Sequence, residues 1–150
     1  MYTIIYRSKA AASFGPKEIN QMVETAKIHN VKNNITGCLL YHEGRFLQLI
    51  EGTEKDVKDL YERILSDPRH ENITLLGDEK GFMRSFEDWN IAFDNLDLDS
   101  AQVSEKRSLF DSIFHDSGAL ANPGRSKLVL WEEMNKLLYG GLESSFNAEA

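Results

Sequence analysis

Hydrophobic and polar positions change period several times along the chain, and each change marks an element. Tyr2 to Arg7 alternates and is rich in β-favouring residues, predicting a strand with Tyr2, Ile4, Tyr6 and, if it runs that far, Ser8 on one side. Small residues break the alternation from Ala10 to Gly15, and Pro16 suits the first turn of a helix. Ile19, Met22, Val23 and Ala26 then recur at helical spacing, so a helix should run to about His29-Asn30. From Asn34 to Gly52, β-favouring runs flank a turn at His42-Glu43-Gly44-Arg45 and predict two strands joined as a hairpin. In the second of these, Phe46, Gln48 and Ile50 share one face while Leu47 and Leu49 take the other. Both faces are apolar, and only Gln48 interrupts.

Thr53 has the character of an N-cap, with Asp56 three residues on in the manner of a capping box. Val57, Leu60, Tyr61, Ile64 and Leu65 form the stripe of a second helix that Asp67-Pro68 ends. Asn72 to Leu76 predicts a fourth strand, and Asp88 to Phe93 a fifth with Trp89, Ile91 and Phe93 on one face. Asp94 to Ser100 is a polar connection to helices over Ser104 to His115 and Ser126 to Tyr139, split by a turn at Asn122-Pro123-Gly124. The order βαββαββ predicts an α+β, ferredoxin-like sheet of five strands with two helices on one face. Leu47 and Leu49 need cover on the other face, so the C-terminal helical pair is expected there. This divides the chain into a domain over 1–98 and a helical extension over 99–150, with a frayed tail from Gly140.

Length and composition fit that plan: 150 residues, 41% hydrophobic and 10% aromatic, are enough for one proper core. Lys+Arg 17 against Asp+Glu 24 gives a net charge of -7, which argues against nucleic acid or an anionic membrane surface as partner. The lone cysteine, Cys38, falls inside a strand, so neither a disulfide framework nor a cysteine metal cluster is expected. The first strand begins directly after Met1, and no apolar run approaches membrane-spanning length. A bacterial-type cytoplasmic protein is the plainest reading.

Candidate chemistry centres on Gln48. An amide buried without partners costs on the order of 1–3 kcal/mol, so it must find hydrogen bonds on its face or in something bound there. Tyr6 belongs on the same face and bonds an amide in either orientation; on composition alone the plainer reading of the pair is a core fastening that pins strand register. Asn30 is by default a helix C-cap, or else aims its amide into a groove. Arg69-His70 reaches an anionic ligand or decorates a turn, and Lys80 and Arg84 read as solvated surface. His29, His42, His70 and His115 show no metal-ligand spacing, and no nucleophile elbow, phosphate loop or dinucleotide fingerprint occurs.

Five ordered blocks carry a resemblance to a known family. They are Ile5-Tyr6-Arg7-Ser8; His29-Asn30 with Asn34-Ile35-Thr36-Gly37; Gly44-Arg45-Phe46-Leu47-Gln48-Leu49-Ile50-Glu51-Gly52; Asp67-Pro68-Arg69-His70; and Arg84-Ser85-Phe86-Glu87-Asp88-Trp89. Together they resemble the BLUF domains, which sense blue light with a flavin. The resemblance implies that Tyr6 is the photochemical electron donor, that Gln48 bridges it to the flavin ring, and that Asn30 bonds the ring's polar edge. It implies Ser8, His29, Arg69 and His70 near the pocket, Phe46 and Ile64 in its apolar walls, and Trp89 on a signalling strand. FAD is the usual cofactor, with FMN or riboflavin accepted by some members. One departure concerns Ile91, which stands where the family often has methionine and offers no thioether to accept a hydrogen bond from Gln48.

These readings combine into a photosensory binding protein without an attached catalytic domain, signalling through a partner protein or a homo-oligomer, with no nucleic-acid or membrane partner. The competing class is a non-photoactive ferredoxin-like module that takes another small ligand or a peptide in its helix groove.

Overall fold

A tight hairpin sets the register of the sheet. Glu43 and Gly44 both have positive φ (48° and 74°), the primed turn whose twist matches that of the flanking strands. It joins β2 (Thr36–His42) to β3 (Arg45–Gly52) and places Leu39 opposite Gln48. β3 pairs on its other side with β1 (Tyr2–Ala10), placing Tyr6 opposite Gln48 as well. β4 (His70–Lys80) pairs antiparallel with β1, completing an antiparallel four-strand order β4-β1-β3-β2. A four-residue strand, β5 (Ala92–Asn95), runs parallel to β2 at the far edge. The computed structural model describes residues 1–12, 14–81, 92–97, 107, 108, 110 and 111.

Two helices connect the strands. α1 (Pro16–Lys32) begins with Pro16 in its first turn, where the Glu18 carboxylate accepts from the Gly15 N–H at 3.0 Å. α2 (Glu54–Leu65) is capped by Thr53, whose Oγ1 accepts from the Asp56 N–H at 3.3 Å. The capping box itself is altered. Thr53 Oγ1 donates to Asp56 Oδ2 at 2.9 Å, so the carboxylate answers the cap's hydroxyl.

Both helices cover one sheet face. Val57 of α2, with Leu60, Tyr61 and Ile64, packs on Tyr2, Ile4, Tyr6 and Ile50. Ile19, Met22 and Val23 of α1 pack on Leu39 and Phe46. Strand register puts all these sheet residues on the face that carries Gln48. Gly37 allows the close fit, since a Cβ there would lie 1.9 Å from the Leu49 carbonyl oxygen.

The opposite face is buried too, at Ile5, Cys38, Leu40, Leu47 and Leu49. At the hairpin end of that face, buried Phe110 lies edge-on to His42, and the Arg45 guanidinium sits over its ring. Arg45 Nη2 also donates to Asp111 Oδ1 at 2.6 Å, and Arg107 Nε to the Leu96 carbonyl at 2.8 Å. Arg107, Ser108, Phe110 and Asp111 are helical, within the span where the first C-terminal helix was expected. The second expected helix, the tail, Arg84, His115, Trp89 and Ile91 lie outside the described residues.

Several boundaries differ from expectation. β1 continues to Ala10 because its last residues pair with β3 at Lys9↔Arg45 and with β4 at Ala10↔His70. β4 spans His70–Lys80 and not only Asn72–Leu76, because its polar ends pair with β1 even though they bury little. α1 runs two residues past Asn30. The left-handed conformation needed to leave that helix is taken by Asn34 (φ 54°), not by Asn30. Leu65, expected in the buried stripe of α2, is half exposed at 51% because it falls in the last turn beyond the sheet.

Candidate functional site

Between α1 and α2, above Tyr6 and Gln48, lies a groove with a cavity of about 190 Å³. Each wall follows from an element already described. α1 contributes Met22, Thr25, Ala26, His29 and Asn30; α2 contributes Leu60, Arg63 and Ile64; the turn after α2 contributes Asp67 and Arg69; strands supply the floor.

On the floor, Tyr6 donates its hydroxyl proton to Gln48 Oε1. Tyr6 is fully buried, with Tyr61 at a ring-centroid distance of 5.6 Å and His70 at 6.4 Å. Burial first, then the neighbouring Tyr61 phenol and the Asp67 carboxylate, push its ionisation far above the ordinary phenol value. Tyr6 therefore stays a neutral phenol at any physiological pH. The hydrogen bond fixes the Gln48 carbonyl toward Tyr6, leaving its NH2 group without a partner among the described residues.

His29 supplies a second unanswered polar atom. Asn33 Nδ2 donates to the His29 carbonyl at 2.9 Å and lies 3.0 Å from His29 Nε2. That geometry makes Nε2 an acceptor and puts the ring proton on Nδ1, which is buried with no hydrogen-bond partner. Asn30 is 2% exposed and lines the groove, and the C-cap position expected of it is taken by Asn33.

Arg69 and His70 meet different fates. Asp67 grips Arg69 through Nε (2.9 and 3.0 Å), Nη2 (2.5 Å) and the backbone N–H (2.9 Å). This pairing holds the Asp67 carboxyl below its usual range and raises the Arg69 guanidinium. Arg69 thus reaches the groove with its charge already matched. His70 Nδ1 lies 2.9 Å from Ser8 Oγ, and burial lowers the imidazole's pKa against the opposing pull of Asp67. Ser8 and Phe46 are fully buried beneath the groove, where they brace His70 and do not line the cavity; the Phe46 ring is 5.2 Å from that of His70.

Sequence reasoning took Met22, Ala26 and Leu60 for core stripe, and each also forms a groove wall. Thr25, Arg63 and Asp67 were not singled out for the site. Helical spacing of Thr25 with Met22 and His29, and of Arg63 with Leu60, was the available signal. Cys38 is buried in β2 and its thiol is pushed up by burial, so it does not serve as a nucleophile. Among the described residues no cluster of three or more His, Cys, Asp or Glu stands close enough to hold a metal, and no helix is long and apolar enough to cross a membrane.

The groove fits a flat heteroaromatic ring with a polar edge. Its walls are apolar, while Gln48, Asn30 and His29 present amide and imidazole groups, two of them with N–H donors that no described residue accepts. A flavin ring has that shape and alternates carbonyl acceptors with ring nitrogens along one edge.

Comparison with known proteins agrees. The chain is 43% identical over 74 residues to the blue light- and temperature-regulated antirepressor BluF of Escherichia coli, covering 49% of this chain and 18% of that protein. It is 31% identical over 112 residues to the photoactivated adenylate cyclase subunit beta of Euglena gracilis, covering 71% of this chain and 13% of that one. The chain thus spans only a small part of these curated relatives. Among solved structures, BlrB, a BLUF protein in its dark state, superposes with a TM-score of 0.68 at 25% identity, covering 89% of this chain and 96% of that chain. A bacterial light-regulated adenylyl cyclase gives a TM-score of 0.71 at 30% identity over 89% of this chain and 39% of its own. Residues 1–92 match the family described as sensors of blue-light using FAD. The reading as a non-photoactive ligand or peptide module is set aside: this chain belongs to the BLUF family of flavin-binding blue-light sensors.

Proposed function

We propose that light is converted here into a rearranged Tyr6–Gln48 hydrogen bond, with FAD, or FMN or riboflavin, held by His29, Asn30, Gln48, Ile64, Arg69 and His70 over the bracing residues Ser8 and Phe46. The observation that carries this reading is the Tyr6 hydroxyl donating to Gln48 Oε1 on the groove floor. When bound, the flavin supplies blue absorption and, once excited, a one-electron oxidant. Tyr6 is the electron donor. Its phenol cannot shed a proton first, because burial makes the phenolate inaccessible. Loss of the electron makes the hydroxyl strongly acidic, and its proton passes along the existing bond to Gln48 Oε1. When electron and proton return, Tyr6 is restored and the Gln48 amide, by rotation or tautomerisation, is left in a new hydrogen-bond arrangement. The product differs only in who donates to whom, so it relaxes in darkness.

Output leaves through β3 and the far face. Gln48 shares its strand with Arg45, and Arg45 engages Phe110 and Asp111. A small shift of β3 therefore bears on the helical residues Arg107, Phe110 and Asp111 of the 99–150 extension, which follows a flavin-binding unit over 1–98; Trp89 and Ile91 are the further signalling positions of this reading. This helix is the two-state element offered to a partner protein or to a second copy of the chain, in the cytoplasm, by binding and not by turnover. The test is Tyr6→Phe. Bound flavin with no light-induced absorbance shift supports the assignment, whereas an unchanged shift refutes it.

A further inference from the structure

Tyr6 and Gln48 belong to a longer row. Gln48 has Tyr6 directly opposite on β1 and Leu39 directly opposite on β2, and Leu39 in turn has Phe93 opposite on β5. Neighbouring strands lie about 4.8 Å apart, so each side chain of the row is within reach of the next on the face beneath the helices. The two halves differ in chemistry. Tyr6 and Gln48 share a hydrogen bond, whereas Leu39 and Phe93 have only methyl groups and a ring to offer. Leu39 is buried with Phe46 against Ile19, Met22 and Val23 of α1, and partly buried Phe93 packs on that same cluster.

The chain just past Phe93 is fastened to the hairpin end of the sheet. The Leu96 N–H donates to the Tyr41 carbonyl at 2.8 Å, and Asp97 Oδ1 accepts from the Glu43 N–H at 2.9 Å and lies 3.0 Å from His42 Nδ1. The Leu96 carbonyl accepts from Arg107 Nε. β5 therefore reaches the helical residues around Phe110 by contacts separate from those of Arg45.

We propose that Leu39 and Phe93 are positioning residues that carry the Gln48 rearrangement sideways from β3 to β5, by packing and not by hydrogen bonding. This rests on the proposed rearrangement and names its route. The NH2 group of an amide is bulkier than its carbonyl oxygen, so exchanging the two changes the shape that Gln48 presents to its neighbours. Leu39 has no polar atom with which to answer and responds by displacement or a change of rotamer, which a close-packed interior passes on. Phe93 is the next member of the row. It stands on a four-residue strand at the sheet edge, paired on one side only, and such a strand yields before the long strands inside the sheet do.

The experiment compares the flavin-loaded full chain with F93A and F93L, reading both the light-induced absorbance shift and the light-minus-dark change in amide hydrogen exchange over residues 92–97 and 107–111. F93A should keep the absorbance shift while its exchange change falls by about threefold or more, the scale of such coupling, and F93L should retain most of that change. Should F93A not fold, F93V is read in the same way. In the flavin-free chain, Q48L should move the amide NMR signals of Asn95 and Leu96, and should move them far less when combined with F93A. An exchange change undiminished in F93A, or absent in the native chain despite its absorbance shift, overturns the relay. Loss of the absorbance shift in F93A overturns it too, because Phe93 would then act in the photochemistry. No absorbance shift in the native, flavin-loaded chain overturns the rearrangement itself.

Discussion

Tyr6 and Gln48 face each other across the two central strands, and the hydroxyl of one donates to the amide oxygen of the other. Neither can move without the other. Replacing Gln48 with Leu keeps volume but removes the acceptor that the fully buried Tyr6 hydroxyl uses among the described residues. Flavin-free Q48L should lose roughly 1–3 kcal/mol of stability in urea unfolding, and the flavin-loaded variant should show no light-induced shift. A variant as stable as the native chain would mean that the pair does not fasten β1 to β3.

Gly37 tests how closely β2 and β3 must approach under the helices. A methyl group there would occupy the space of the Leu49 carbonyl oxygen, 1.9 Å away, and since the atoms it meets are backbone, the paired strands would have to shift to admit it. Gly37→Ala should cost on the order of 3 kcal/mol or more, measured as a fall in the urea midpoint.

Acid should weaken the folded state through His70 and Asp67 together. Burial depresses the imidazole's pKa below its ordinary 6.5, so the folded protein binds that proton less readily than the unfolded chain does. Stability from His70 is therefore complete above pH 6.5 and falls as pH drops from there through the lowered value. Asp67, depressed by its Arg69 partner, keeps its contribution above the unfolded carboxylate value of 3.8 and loses it as pH falls further through its folded pKa. Urea midpoints from neutral pH downward should decline in two stages, and His70→Gln should flatten the upper stage alone.

The contact between the hairpin and the C-terminal segment predicts a further effect. Phe110 is fully buried between His42 and Arg45, so Phe110→Ala removes an aromatic anchor and should cost about 3 kcal/mol if it unfolds with the sheet. Limited proteolysis should then cut near residues 107–111 while the 1–80 region resists. Equal protection in the two proteins would contradict anchoring by this ring.

Period-2 alternation grouped Tyr6 with Tyr2 and Ile4, and Gln48 with Phe46 and Ile50, and the single polar interruption on that face of β3 marked the pair; the register of β1 on β3 sets the two directly opposite. The same alternation misjudged strand length. β4's polar ends, Glu71 and Glu79, are held by pairing with Lys9 and Thr3 and leave no hydrophobic mark. Asn30 was ambiguous among three nearby asparagines. Asn34 takes the left-handed turn and Asn33 the cap, while Asn30 lines the groove, and this division of labour depends on where the helix stops. Arg69 was legible as a cation but not as a neutralised one, since its Asp67 partner lies two residues away in a turn whose shape the sequence does not spell out. Arg63 resembled any solvated helix residue until α1 was seen across from it.

The light-minus-dark absorption spectrum of the flavin-loaded protein tests the central claim most directly. A rearranged hydrogen bond beside an intact ring predicts a small shift to longer wavelength that reverses in darkness. A colourless protein, a flavin that does not respond to light, or a bleached spectrum characteristic of a covalent adduct would contradict it.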